Sequence, residues 1–419
     1  MMKMLLIAIA TVPLVAAPLD QAANRSPNVA LYASVGEELI AFSVDVNGAT
    51  LTRRSSVMLP GFVQEAWASP STPFLYVAWS NGGASYNGTG VAPRGDTHGV
   101  TAFRVDASGA LHVQGVAAPL RSRPIYITGD IPGTHLLVAY NDPSGVSVHT
   151  INKDGTVGPD VPQAGLDVGI YGHQVRVLPT NKSVILVTRG NQPTASTPED
   201  PGAVKVFRYD DGKLTNLVSI APSKGIGFRS RHLDFHPTGP WVFLTLESQN
   251  TLDVFRRTND GSLNDQPLFS KSTLAAGGAA SSGQTASSVH VHPSGQFVYV
   301  GNRAGGTTDF NGTPVFAGGT NNIAVFRINQ ETGEPSLIQN IETRGFTPRT
   351  FGLDPGGRML VVGNQTTLAV REGATVKTVP ANLAVFRIRA DGTLEFVKQY
   401  DVAAGRNRPL WWMGLVALP

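Results

Sequence analysis

Ionisable residues in this sequence stand at fixed distances from a recurring proline. Six residues before that proline and ten after it come His173 and Arg189, Arg231 and Glu247, Ser287 and Arg303, and Arg349 and Gln365. A histidine titrating near neutrality can take a proton from water, and a glutamate can do so if its pKa is raised. Guanidinium groups match planar anions with two parallel hydrogen bonds and can stabilise an oxyanion as it forms. His173, Glu247, Arg231 and Arg303 are therefore candidate catalytic residues for attack of water on a carbonyl. Arg349, Gln365 and Arg189 are candidates for holding the substrate.

These residues share a place because the segments carrying them repeat. "HQVRVLPTNKSVILVTR" (173–189), "RHLDFHPTGPWVFLTLE" (231–247), "SVHVHPSGQFVYVGNR" (288–303) and "RTFGLDPGGRMLVVGNQ" (349–365) each read as a short strand, a proline turn and a second apolar strand. "QEAWASPSTPFLYVAWS" (64–80) fits the same frame, and "IYITGDIPGTHLLVAYN" (125–141) fits it more loosely. Each unit is followed by a strand, a glycine turn and another strand, as in "VFRYDDGKLTN" and "VFRIRADGTLE". Asp-Gly and Ser-Gly between strands are hairpin signals, because glycine reaches positive φ without steric penalty. Seven such units with a period of roughly 50 residues predict an all-β fold, a seven-bladed β-propeller. The first unit, starting at "VALYASVG" (29–36), lacks an inner strand, and "PLWWMGLVAL" (409–418) is expected to supply it and close the ring.

In such a ring the start of the first strand and the end of the second share one face near the central channel. The long segments after the second strands lie on that face: 80–99, 190–202, 304–321 and 366–379, with the link 272–287. Long loops on one side of a rigid scaffold commonly carry binding.

His290 and His292 are two apart and share a strand face, a spacing that can hold a cation. His236 and His292, however, immediately precede the repeat proline, a place better explained by a hydrogen-bonded turn. No metal site is assigned and no cofactor is expected, although a metal held by channel residues or backbone carbonyls would leave no trace in the sequence. Trp67, Trp79, Trp241, Trp411 and Trp412 are expected to pack between blades.

Composition sets the outer bounds. With 46 glycines, 29 prolines and 15% charged residues in 419, the chain suits a turn-rich β protein. Its net charge of +3 is dispersed, without the basic stripe of a nucleic-acid partner. Having no cysteine, it has no disulfide, thiolate metal site or lipoprotein anchor. One lysine, an apolar run from Met4 to Ala17 and small residues after it have the layout of a secretory signal peptide, assigned to residues 1–23. The mature chain, 28–419, is expected to be one domain, periplasmic or secreted, monomeric and free of the membrane.

The segment "SRHLDFHPTGPWVFLTLESQNTLDVF", with "HPSGQFVYVGNR" and "TPRTFGLDPGGRMLVVGNQ", resembles the seven-bladed lactonase family, which includes 6-phosphogluconolactonases and carboxymuconate-lactonizing enzymes. That resemblance implies a site on His173, Arg231, Glu247 and Arg303, with Arg349 at a further recurrent position. It implies a small-molecule lactone as partner and hydrolysis of an anionic or polyhydroxylated lactone as the reaction. A cycloisomerase closing a lactone onto an alkene, and a propeller that only binds a ligand or protein, stand as the alternatives. Ser230, Leu246 and Gln174 depart from the family pattern, as does the export signal.

Overall fold

Alternating apolar residues and glycine turns build seven four-stranded antiparallel sheets around an axis. The computed structural model describes residues 28–83, 95–275, 281, 283–405 and 408–419. The signal peptide assigned to 1–23 lies outside them, as do 84–94 of the first insertion and 276–280 and 282 of the link before Gln284. The predicted propeller is the observed fold. Its inner strands are Leu410–Ala417, Phe62–Ala68, Pro124–Gly129, Gly172–Val177, Ser230–Phe235, Thr285–Val291 and Phe346–Leu353, in the first to the seventh blade. Closure also follows expectation: Leu410–Ala417 pairs antiparallel with Val29–Val35, so one blade holds both ends of the described chain.

The core sits in the seams. Among the described residues seven apolar clusters are present, and each draws its side chains from two neighbouring blades, including the seam between the seventh blade and the first. Polar ties reinforce them. Tyr32, Tyr76 and Tyr299 each donate a hydroxyl hydrogen bond to a glycine carbonyl in the outer hairpin of the next blade, at Gly109 (2.8 Å), Gly155 (3.0 Å) and Gly392 (3.0 Å). Gly155 and Gly392 have positive φ, and a Cβ on either would lie 2.3 Å from Phe74 or Phe297 of the preceding blade. These turns thus need glycine both for their backbone and for the seam.

Two insertions expected as loops fold as hairpins. Thr307–Phe310 pairs with Thr313–Phe316, and Leu368–Glu372 with Thr375–Val379. The reason is local: Asn311-Gly312 has positive φ at both residues, the turn that matches strand twist, and Gly373 serves the second hairpin. The hairpins pack together, with Arg371 over the Phe310 ring at 4.3 Å. Among the described residues no helix is long and apolar enough to cross a membrane.

Ring closure gives a stability prediction. Leu410 is fully buried in the seam between the last blade and the first. Leu410→Ala should cost about 2–5 kcal/mol, seen as a lower urea midpoint with an unchanged slope. A midpoint equal to wild type would show that the C-terminal strand does not hold the ring.

Candidate active site

Every inner strand is irregular at the same level. Pairing with the second strand shifts register between Val63 and Glu65, Pro124 and Tyr126, Gly172 and Gln174, Ser230 and Leu233, Ala286 and Val289, and Pro348 and Thr350. The C-terminal strand shifts likewise around Trp411 and Trp412. A bulge re-aims side chains and bends the strand. Here it falls on Gln64, Ile125, His173, Arg231, Ser287 and Arg349, the residues at which the spacing from the proline places chemistry.

The centre of the upper channel is the Glu247 carboxylate. Its strand end is fixed by backbone bonds from Glu247 N to Arg229 O (2.8 Å) and from Ala286 N to Glu247 O (2.8 Å). Arg189 donates to Oε2 at 2.8 Å, Arg303 donates to Oε1, and Arg231 Nε stands 3.3 Å from Oε1. Three blades therefore meet on one side chain. Burial alone would raise the Glu247 pKa, but Arg189, Arg303 and Arg231 overcome it and hold the carboxyl far below the usual range. Glu247 is thus ionised at any working pH and its oxygens are engaged. A general-base role needs a raised pKa, and the structure provides the reverse.

His173 is buried beside this cluster, and its Nδ1 has no hydrogen-bond partner among the described residues. Burial, then the charges of Arg231 and Arg189, push its pKa well below the ordinary histidine value. The ring is neutral at pH 7 and can accept a proton. It stacks edge-on against His232 with centroids 5.0 Å apart, and Arg231 Nη1 donates to His232 Nδ1 at 3.3 Å. Arg231 is itself fully buried, and its Nη2 lacks a hydrogen-bond partner among the described residues.

The other predicted residues divide. Arg189 joins the cluster and lies over Tyr171 at 4.0 Å. Arg349 lies outside the Glu247 ion pairs, over the Trp411 ring at 3.7 Å. Gln365 is the next-to-last residue of the second strand of the seventh blade, half-buried and outside the Glu247 network. Ser287 is a structural tie, donating to Pro348 O at 2.8 Å. His236 Nε2 and His292 Nε2 contact the carbonyls of Gly295 (2.9 Å) and Gly357 (2.8 Å), so both histidines link proline turns of adjacent blades. His290 instead faces Asp234 at 4.0 Å. No three His, Asp or Glu side chains among the described residues are placed to hold a metal ion together.

Spacing from the proline overlooks several groups. Arg229, almost fully buried, pairs with Glu199 at 3.7 Å. His98 meets the Ser80 hydroxyl at 2.8 Å. Glu65 faces the channel one residue after Gln64, and burial pushes its carboxyl up to about 8 although Arg349 and a Trp412 hydrogen bond pull it down. Trp411 and Trp412 serve the channel as well as the seam between blades. The sequence does carry a signal: Gln64-Glu65, His173-Gln174, Arg231-His232, Ser287-Ser288 and Arg349-Thr350 are polar pairs that interrupt strand alternation, as a bulge requires.

Glu247→Gln leaves three guanidinium groups without their shared anion and should destabilise the fold by about 3–5 kcal/mol at pH 7. Because the folded pKa is depressed, this contribution is complete above the unfolded carboxylate value of about 4.3 and fades as pH falls below it. Urea melts of both proteins at pH 7 and pH 3 should show the gap closing in acid. A constant gap would mean that Glu247 acts by packing.

Residues 29–372 match the sequence profile of the family described as Lactonase, 7-bladed beta-propeller. Over 365 residues the chain is 25% identical to a 6-phosphogluconolactonase of Serratia proteamaculans, covering 85% of this chain and 89% of that one. A 6-phosphogluconolactonase of Yersinia pestis is 26% identical over 364 residues, covering 86% and 90%. Among solved structures, the periplasmic gluconolactonase of Pseudomonas aeruginosa superposes with a TM-score of 0.66 at 21% identity, covering 93% of this chain and 99% of that one. A Bacteroides fragilis protein described as a putative 6-phosphogluconolactonase gives 0.64 at 18%, covering 95% and 99%. The ring, its closure and the residues 29–372 that match the profile identify the chain as a member of the seven-bladed β-propeller lactonase family.

Proposed function

We propose that this protein hydrolyses a sugar-type lactone outside the cytoplasm. The observation that carries the reading is a neutral, buried His173 beside arginines that one ionised carboxylate holds in place. Water adds to the ring carbonyl while His173 takes its proton. Arg231 and Arg303 offset the charge that develops on the carbonyl oxygen. Collapse of the tetrahedral intermediate breaks the ring C–O bond, and the leaving alkoxide takes a proton from the imidazolium. The open hydroxy acid then ionises. Glu247 does not touch the proton in this scheme; it fixes the guanidinium groups so that no reorganisation accompanies charge development.

Relatives named 6-phosphogluconolactonase, and the gluconolactonase that shares the fold, support a polyhydroxylated lactone. The surplus of arginine in the channel supports an anionic one. The apolar N-terminal run supports export, and the Pseudomonas gluconolactonase of the same fold is itself described as periplasmic.

A panel of aldonolactones, phosphogluconolactone and muconolactones, offered to the mature protein, should show turnover of at least one sugar lactone. His173→Ala should lower kcat/KM on it by about 10²–10⁴ while the melting temperature stays near wild type. Turnover unchanged in His173→Ala, or absent from every lactone, defeats the reading.

The pH profile adds a second check. A base whose pKa is depressed works above that pKa and fails below it. In wild type, kcat/KM should therefore stay flat from about pH 8 down past 6.5, the ordinary histidine value. An acid limb centred at 6.5 that disappears in His173→Ala would overturn the assignment of a neutral, buried base.

A further inference from the structure

Next to the Glu247 cluster, and bordered by Arg231, lies a cavity of about 300 Å³, within the range of small-ligand pockets, whose groups the hydrolytic scheme leaves largely unused. Arg231 and Arg349 form its upper rim, and Glu65, Tyr126, His232 and Trp412 stand on its walls. It continues past Gly352 and Gly414 to Leu353 and Leu415. Its width has a sequence cause. At the level where the fourth, fifth and sixth blades carry Arg176, Asp234 and His290, the seventh and first carry Gly352 and Gly414. A Cβ on Gly352 would meet nothing closer than 3.8 Å.

The cavity is short of negative charge. Arg349 makes no ion pair among the described residues and rests on the Trp411 face. Arg231 reaches Glu247 through Nε, while its Nη2 has no hydrogen-bond partner among the described residues. Asp234 is engaged by Arg176 at 3.1 Å. Glu65 is protonated at neutral pH, since burial raises its pKa to about 8. Burial, then repulsion from Arg303, lowers the Arg349 pKa to about 9. Two buried guanidinium groups without a free carboxylate are costly unless an anion joins them.

We propose that this cavity is a second binding site, for a small hydroxycarboxylate anion, with its carboxylate on Arg349 and Arg231 and its hydroxyls on Glu65, Tyr126 and His232. Guanidinium groups match a planar carboxylate. A protonated Glu65 and the Tyr126 hydroxyl can each donate and accept, which suits an alcohol group. Arg231 borders both this cavity and the hydrolytic site, but neither His173 nor Arg303 lines the cavity, so a His173 variant tells the two readings apart.

The test is calorimetric titration of D-gluconate into the intact mature protein at pH 7, with sorbitol as the uncharged chain of equal length. Gluconate should bind saturably and sorbitol should not. Gly352→Leu fills the cavity from a residue remote from Glu247, and Arg349→Gln removes the anchor; each should weaken gluconate by about tenfold or more. His173→Ala should leave gluconate binding within about twofold while lowering lactone kcat/KM by about 10²–10⁴, which separates this proposal from the hydrolytic one.

Between pH 7 and 9 the affinity should fall as Glu65 ionises beside the anion. Of the groups that line the cavity with Glu65, His232 and His290 are already neutral there and Tyr126 stays protonated, because burial lowers the first two and raises the third. Arg231 is the remaining charged neighbour, and Arg349 loses charge only around 9. Glu65→Gln should therefore shift the fall upward by about one pH unit. Absent gluconate binding, equal binding of sorbitol, or affinity unchanged in both Gly352→Leu and Arg349→Gln would overturn the proposal. So would binding lost in His173→Ala but kept in Gly352→Leu, which would put the anion in the upper cluster. Should Gly352→Leu fail to fold, Arg349→Gln and the wild-type pH profile decide.

Discussion

Seven strands converge on one axis, and each is paired on one side only. That constraint shapes everything at the centre of this molecule. A regular strand would send alternate side chains into the seams with its two neighbouring blades. The bulge in each inner strand breaks the alternation at one level and presents two successive residues near the channel. It accounts for how a narrow ring holds so many polar groups at one height. It also accounts for the small tethers beside them: Ser230 donates to Thr188 O, Ser287 to Pro348 O and Ser288 to Arg349 O, while Gln174 accepts from Leu233 N. Each tether runs to a neighbouring blade, and those to Pro348 O, Arg349 O and Leu233 N hold backbone at a bulge.

Charge follows from the same geometry. Guanidinium groups from three blades would repel one another across the upper channel without Glu247 among them. The two channel carboxylates end in opposite states for one reason, the number of cations within reach. Glu247 meets three arginines and stays ionised; Glu65 has Arg349 as its principal cation, and burial wins. Carboxyls driven apart in this way can take different roles within one channel. Glu247 acts as an anchor, and Glu65 is a hydrogen-bond donor at neutral pH.

The architecture was legible because its signals are periodic. Prolines, Asp-Gly turns and apolar alternation recur through the chain, and the solitary "PLWWMGLVAL" at its end completes the blade that starts at Val29. That the upper cluster would form was legible for the same reason: His173, Arg189, Arg231, Glu247 and Arg303 share positions in the frame, and the fold brings them together. Glu65 was not, because a frame that counts one residue per strand passes over the second residue of a bulge. Arg229 and Glu199 were missed because Glu199 comes from an insertion, where no repeat gives the register. Electrostatic state was beyond the sequence altogether. Whether a glutamate is anchor or base depends on how many cations surround it in three dimensions.

The C-terminal strand joins these themes. Leu410 and Met413 pack into the seam with the seventh blade, Trp411 and Trp412 into the seam with the second, and the bulge between them turns both indoles toward the channel. Trp411 carries the Arg349 guanidinium on its face, and Trp412 donates to Glu65. A cation is better tolerated over an indole than against bare hydrocarbon, because the ring face is electron-rich. The strand that closes the ring therefore also sets the polarity of the lower channel. Stability and ligand chemistry are coupled through two adjacent tryptophans: loosening the closure withdraws the surface on which Arg349 rests and the donor that holds Glu65.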